Sequence, residues 1–241
     1  MRLYNELTDW YRLIDPPTDH ADEAAVYARA LAGAITGPAT TLLELGSGAG
    51  HNALFMKQQF QCTLTDLSPN MLALSQELNP ECEHAPGDMR TLRLGRQFDA
   101  VFVHDAICYI TSLDDLRRVA DTAWIHTRPG GAALFAPDYV RERFAEHAAL
   151  ISADSGGRSL RGLEWAWDPD PADTHYAVEY SFMLRDGDTV TTATDHHDEG
   201  LFSTADWTET LTRAGYEVSI LERPLDDDAY TDFVFVCRRR T

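Results

Sequence analysis

The stretch Leu42-Leu43-Glu44-Leu45-Gly46-Ser47-Gly48-Ala49-Gly50 limits what this chain can fold into more than any other. An apolar run ends in three glycines at alternate positions, and a helical pattern follows. Glycine lets the backbone turn tightly and lets a ligand approach with no Cβ between them. The helix that follows offers unpaired N–H groups to an anionic group. A strand, a glycine loop and a helix in that order predict an α/β fold with a parallel sheet.

The flanking pattern agrees. Thr41–Leu45 reads as a strand and Gly50–Gln59 as a helix. Cys62–Asp66 reads as a second strand, and Ser68-Pro69 opens a helix with serine as cap and proline at its first position. Phe98–His104 is a continuous apolar run, the mark of a parallel strand covered on both faces. Leu113–Ile125 is amphipathic, and Pro129-Gly130-Gly131 turns into a strand at Ala132–Ala136. Right-handed crossovers make this a doubly wound sheet. Ahead of it, Leu3–Ala32 shows helical spacing broken at Pro16-Pro17, with a second helix over Asp22–Leu31. Behind it the rhythm breaks. His175–Leu184 and Thr189–Asp195 read as a hairpin across Arg185-Asp186-Gly187-Asp188. The chain between Gly156 and Asp173, with Trp165 and Trp167, reads as a loop. Thr204–Ala214 reads as a helix and Tyr216–Leu221 and Phe233–Cys237 as strands, with Asp226–Asp228 in a solvated loop between them. The expected organisation is a single domain. A helical lid spans 1–36, a cofactor-binding half 37–138, an antiparallel insertion over the active site 139–203, and a last helix and two strands 204–241.

An acidic residue, Asp66, ends the second strand 20 positions after Gly46. There a carboxylate can take both ribose hydroxyls of an adenosine cofactor. A dinucleotide fingerprint needs glycine at the sixth position counted from Gly46, where this chain has His51. Glu44 inside the strand end repels a pyrophosphate and accepts an ammonium or sulfonium. The residues therefore favour S-adenosylmethionine over NAD.

From Thr41 to Asp138 the chain resembles class I S-adenosylmethionine-dependent methyltransferases, motif by motif. Glu44 to Gly50 matches their glycine loop, and Asp66-Leu67 their ribose-binding acid. Gly87-Asp88-Met89 matches the loop that receives the adenine. Phe98 to Asp105 and Arg128-Pro129-Gly130-Gly131 match the fourth strand and the turn before the fifth. The resemblance implies a seven-stranded Rossmann-like sheet with an antiparallel last strand. It also implies cofactor contacts from Tyr11, Glu44, Gly46, Ser47, Gly48, Gly50, Asp66, Leu67, Met71, Asp88, Met89 and His104. Outside this half, the N-terminal helix with Tyr4 and Tyr11 and the stretch Glu199-Gly200-Leu201-Phe202-Ser203 are similar to sugar-amine N,N-dimethyltransferases. In those enzymes an N-terminal tyrosine reaches the cofactor. His104, Asp105 and Tyr109 leave the fourth strand where the transferred methyl lies in this fold. His104 or Tyr109 is expected as a base, and Asp105 as a residue orienting a cationic amine. The methyl acceptor is expected to be nitrogen, in preference to oxygen, of a small-molecule substrate.

Charge narrows the partners. The net charge is −19, and Lys57 is the sole lysine beside nineteen arginines. Nucleic-acid binding draws on cations set against phosphates, so DNA, RNA and anionic membrane surfaces are poor partners. No apolar run spans a bilayer and no secretory signal opens the chain, which points to the cytoplasm. Cys62, Cys82, Cys108 and Cys237 show neither zinc nor redox spacing. No metal site is expected, because His196 and His197 are adjacent and point to opposite faces if they lie on a strand. The sequence leaves a homodimer open. The rival readings are a non-catalytic S-adenosylmethionine-binding module or cyclase partner, and an NAD-dependent oxidoreductase. A melting scan separates the cofactors. S-adenosylhomocysteine at 100 times its Kd is expected to add about 2.7 kcal/mol of stability, and NAD nothing.

Overall fold

The computed structural model describes residues 1–224 and 231–241, so the acidic stretch Asp226–Asp228 lies outside the described residues. In chain order it contains α1 (Thr8–Ile14), a 3₁₀ turn (Pro17–His20), α2 (Ala21–Ala34), β1 (Thr41–Leu45), α3 (His51–Met56), β2 (Gln61–Asp66), α4 (Pro69–Leu78), β3 (Glu83–Pro86) and β4 (Phe98–His104). A second 3₁₀ turn (Ala106–Tyr109), α5 (Leu113–His126) and β5 (Thr127–Ala136) follow. Then come β6 (His147–Ser155), β7 (Arg158–Trp167), β8 (His175–Asp186), β9 (Thr189–Gly200), α6 (Thr204–Ala214), β10 (Glu217–Pro224) and β11 (Thr231–Arg238).

Seven strands form one sheet in the order β10-β11-β5-β4-β1-β2-β3. The pairs among β1 to β5 are parallel, whereas β11 runs antiparallel to both β5 and β10. Alternate side chains of β4 feed two separate cores, as the pleat requires. Val101 and Val103 meet Leu116, Val119, Trp207 and Leu211 from α5 and α6. Ala100 and Phe102 meet Tyr27, Leu31, Ala53 and Met56 from α2 and α3. Asp99 pins the N-terminal end of β4 to β1. It accepts from the backbone N–H and hydroxyl of both Thr40 and Thr41, and from Arg128 at 2.5 Å.

The helix expected to run to Gln59 stops at Met56, and the strand expected from Ala132 already starts at Thr127. A larger correction concerns the insertion, a four-stranded antiparallel sheet in the order β6-β7-β8-β9. Residues 158–167, read as loop, form β7, and β6 precedes it. Gly156-Gly157, at φ +59° and +85°, makes the tight turn between them. That pair is a hairpin signal in its own right. The apolar alternation that marks a strand fails here because β6 is lightly covered, with Leu150 85% exposed. The inner face of this sheet offers Leu160, Phe182, Leu184 and Ala193 to Leu3 and Leu7. The guanidinium of Arg158 lies 3.7 Å from the ring centre of Trp10. The insertion thus holds down the N-terminal segment.

Trp207 is fully buried and stacks on Phe235, with ring centres 5.1 Å apart. Trp207→Ala is expected to cost about 3–5 kcal/mol in denaturant unfolding. Trp207→Phe is expected to cost less than half as much, since it also removes a buried indole N–H that lacks a partner.

Candidate active site

Strand order reverses between β4 and β1, and ligands of open α/β sheets bind outside the strand ends at such a point. A cleft of about 460 Å³ lies there, against the C-terminal ends of β1 to β4. Gly46, at φ +76°, turns the chain out of β1, and a Cβ on it would come within 2.5 Å of Ala106 Cβ and 2.7 Å of Met89 Cε. Only glycine fits. Gly50 does different work: at φ +76° it caps α3 and presses against Ser75 of α4 and Asn79 just after it, and it does not line the cleft.

Every other residue expected at the cofactor does line it: Tyr11, Glu44, Gly46, Ser47, Gly48, Asp66, Leu67, Met71, Asp88, Met89 and His104. The expected catalytic residues Asp105 and Tyr109 line it as well. Asp66 joins the two crossover loops. One carboxylate oxygen accepts the Gly48 N–H and the other the Ser68 N–H, both at 2.8 Å. Burial pushes its carboxyl above the ordinary aspartate range, against the pull of these donors. Leu67 beside it is 70% exposed, an apolar surface at the rim of the cleft. Asp88 is held by Arg90, which reaches on to Asp115.

Buried polar atoms normally have partners. Here Glu44 Oε2, Ser47 Oγ, His51 Nε2 and Asn52 Oδ1 are buried without one, and all four residues line the same cleft. Burial pushes the Glu44 carboxyl up to about 8. A carboxylate short of a cation, beside unpaired donor and acceptor groups, suits the amino-acid end of an adenosyl cofactor.

Beneath the N-terminal segment lies a network that sequence reasoning missed. Asp15 accepts from Tyr11 at 2.9 Å and lies 2.7 Å from His20 and 3.1 Å from His51. His20 also lies 2.7 Å from Glu23. Burial works against its charge, but the two carboxylates outweigh burial and push His20 up to about 10. Ligand atoms of Asp15, His20 and His51 come within 4.8 Å of one another. Both nitrogens of His20 are already taken by carboxylates, which leaves no lone pair there for an ion. The spacing Asp15-x₄-His20-x₂-Glu23 spans the Pro16-Pro17 break, so nothing local in the sequence announced it.

His104 is engaged on both sides, by Asp105 at 3.0 Å and by the Asn52 amide at 3.1 Å. Its buried site lowers its pKa, yet Asp105 and Glu23 outweigh burial and raise it. Tyr109 is set differently. Asp105, at φ +39°, turns the chain out of β4 into the Ala106–Tyr109 turn. The Tyr109 hydroxyl lies 2.5 Å from that of Tyr4 and 3.1 Å from Nδ1 of His197. Burial raises both phenols well above their ordinary value, so both are neutral at physiological pH. His196 and His197 take opposite faces of β9. His196 is exposed beside Glu179 and Asp198, and His197 is buried behind Tyr109.

Residues 42–131 match a family model described as a methyltransferase domain. A dTDP-3-amino-3,4,6-trideoxy-alpha-D-glucopyranose N,N-dimethyltransferase of Streptomyces venezuelae is 30% identical over 207 residues, covering 85% of this chain and 86% of the relative. This chain belongs to the class I S-adenosylmethionine-dependent methyltransferases. A dTDP-3-amino-3,6-dideoxy-alpha-D-glucopyranose N,N-dimethyltransferase of Streptomyces fradiae is 25% identical over 225 residues, covering 90% of this methyltransferase and 86% of the relative. Among solved structures, Streptomyces venezuelae DesVI superposes with a TM-score of 0.84 at 25% identity, covering 97% of this chain and 96% of that one. The amino pentose methyltransferase CalS10 of Micromonospora echinaspora, solved with S-adenosylmethionine bound, shares the fold at a TM-score of 0.80 and 24% identity, covering 91% of each chain. The methyltransferase is an enzyme that uses S-adenosylmethionine, and the glycine loop, Asp66 and the unpaired polar atoms fit that cofactor. Among the described residues, no helix is long and apolar enough to cross a membrane.

Glu44 yields a signed test. Its pKa in the folded protein exceeds its ordinary 4.5, so its contribution to stability is full below pH 4.5 and is lost as pH rises toward 8. Ligand-free Glu44→Gln is therefore expected to melt above wild type at pH 8 and level with it near pH 4.5. The same variant is expected to bind S-adenosylhomocysteine about 10- to 100-fold more weakly by calorimetry, as loss of a charged hydrogen bond implies. Wild-type affinity is expected to rise from pH 6 to 8, with proton release on binding.

Proposed function

We propose that this methyltransferase converts the amine of a nucleotide-linked deoxy amino sugar to its N,N-dimethyl form. The observation that carries this reading is the reach of the similarity. The match to the Streptomyces venezuelae enzyme covers 85% of the chain, so its greater part lies outside residues 42–131 and reaches beyond the segment that the general methyltransferase model matches. The reading also rests on the unpartnered buried atoms at the amino-acid end and on hydroxyl groups at the other.

Glu44, Ser47, His51 and Asn52 would hold the amino-acid end of the cofactor, with Gly46 and Gly48 admitting its backbone. Asp66 would take the ribose through the lone pairs left free by its two N–H donors, and Leu67, Met71, Asp88 and Met89 would flank the adenine. When bound, the cofactor supplies a methyl carbon on a sulfonium, ready for in-line displacement. The protein's task is to align the acceptor, and positioning can remove about 7–11 kcal/mol of barrier. Tyr109 faces the acceptor and takes part in its deprotonation. His104 turns Nε2 to Asp105 and Glu23 and accepts the Asn52 amide on Nδ1, so both ring nitrogens are engaged and it orders these three side chains instead of serving as the base. The N-terminal segment, whose Tyr4 and Tyr11 line the cleft, would exclude water, and the four-stranded sheet packs behind it. Four free thiols suit the reducing cytoplasm.

The net charge of −19 favours a second reading, an amino sugar joined to a neutral group instead of a diphosphate. Incubation of the enzyme and S-adenosylmethionine with a dTDP-linked 3-amino sugar and with the matching amino glycoside tests both. The expected result is a dimethylated dTDP sugar by mass spectrometry. Methylation of the glycoside alone selects the second reading, and no N-methyl product from any amine overturns both. Tyr109→Phe is expected to lower turnover about 10²- to 10⁴-fold, the span of general-base help, and His104→Ala much less.

A further inference from the structure

Behind Tyr109 a chain of polar groups runs into the four-stranded sheet and ends on a carboxylate. Tyr109 Oη is 3.1 Å from His197 Nδ1, and His197 Nε2 is 3.0 Å from Asp195 Oδ2. Asp195 and His197 are both buried. The same Asp195 oxygen accepts the backbone N–H of Leu3 at 2.7 Å, and the next residue, Tyr4, places its hydroxyl 2.5 Å from that of Tyr109. The N-terminal segment thus grips both ends of the chain of groups.

We propose that His197 is the residue that holds the proton given up by the acceptor amine, acting through Tyr109, and that seating of Leu3 and Tyr4 completes this relay. The inference rests on the reading above, in which the acceptor is an amine that faces Tyr109. Conversion of a primary amine to its dimethyl form requires a proton to leave between the two transfers. In the first transfer the nitrogen lone pair forms the C–N bond as the methyl–sulfur bond breaks, the pair staying on sulfur. The nitrogen is left cationic with one N–H too many. That proton passes to Tyr109 Oη while the phenolic proton of Tyr109 passes to His197 Nδ1. A neutral secondary amine and an imidazolium beside Asp195 result. The proton returns to solvent when the product leaves. A neutral buried phenol is a poor base by itself, so Tyr109 needs an acceptor behind it.

Asp195 selects the tautomer. By accepting from Nε2–H it leaves the Nδ1 lone pair facing Tyr109, as an orienting carboxylate does behind a catalytic histidine. The other groups around His197 fit an imidazolium. Glu199 Oε1 is 3.6 Å from Nδ1, and Tyr180 packs its ring 5.0 Å from the imidazole centre. Glu164 on β7 also acts on His197 electrostatically. Tyr4 completes the enclosure, its ring 5.8 Å away. His197 and Asp195 touch no acceptor, so they are positioning residues behind Tyr109.

The test uses the full-length enzyme and an amine acceptor that the wild type dimethylates. His197→Asn is expected to lower kcat about 100-fold near neutral pH while KM and S-adenosylhomocysteine affinity hold. The loss is expected to shrink as pH rises and the amine sheds its proton to solvent, and monomethyl product is expected to accumulate. Asp195→Asn should show the same pattern more weakly. A wild-type rate and product ratio in His197→Asn, or a loss that does not change with pH, overturns the relay. If these variants fail to fold, ¹⁵N NMR of wild-type imidazoles decides: His197 should carry its proton on Nε2, and a proton on Nδ1 at neutral pH sinks the proposal. Failure of the wild type to methylate any amine is a separate outcome, which removes the functional reading and the relay with it.

Discussion

One carboxylate holds the site together. Asp66 receives the Gly48 N–H and the Ser68 N–H on its two oxygens, and so binds the loop after β1 to the loop after β2. The bridge adds to the N–H groups of Gly46 and Ser47 that donate to the Thr65 carbonyl, and together they fix a loop whose glycines carry no side chains to pack. With the loop fixed, Gly46 can lie against Ala106 and Met89 at a distance no other residue tolerates, and the cleft keeps its floor. The bridge holds Asp66 in place and leaves each oxygen with further accepting capacity. The atoms that fix the loop are the ones that face the cleft.

The two ends of the parallel strands are built on opposite terms. At the N-terminal end Asp99 accepts from Thr40, Thr41 and Arg128, so its carboxylate is amply satisfied. At the C-terminal end Glu44 is as deeply buried but keeps an oxygen without a partner, next to Ser47, His51 and Asn52 in the same condition. An unsatisfied buried carboxylate is costly. A fold tolerates that cost where a ligand removes it, so the contrast marks the working end of the sheet without reference to any motif.

Much of this was legible in the sequence, and the exceptions have physical causes. β1 and β4 fall on the residues expected, and α6 does as well, because their apolar patterns are long and their ends carry caps and glycines. That Glu44, Asp66 and Asp88 would meet at one cleft was readable because they stand at or just beyond strand ends, where position follows from chain order. β6 and β7 were missed because the sheet they join is covered on one face only, and lightly at β6, so the alternation is diluted. Asp15, His20 and His51 escaped notice since a proline break and a loop separate them, and only the packing of the Pro17–His20 turn against α3 brings them together. His197 was seen as half of a histidine pair. Its partners Tyr109 and Tyr4 lie 88 and 193 residues away along the chain, a distance no local spacing can span.

The left-handed turn at Asp105 has a consequence for how such a site can change. A non-glycine residue there pays for its backbone strain only if the surroundings hold it, and what it sets is the heading of the four residues that end in Tyr109. The hydroxyl's aim is therefore stored in a dihedral angle one turn upstream, not in the tyrosine. A change in what the cleft admits beside Tyr109 can begin by relaxing that angle, and leave the glycine loop and Asp66 untouched.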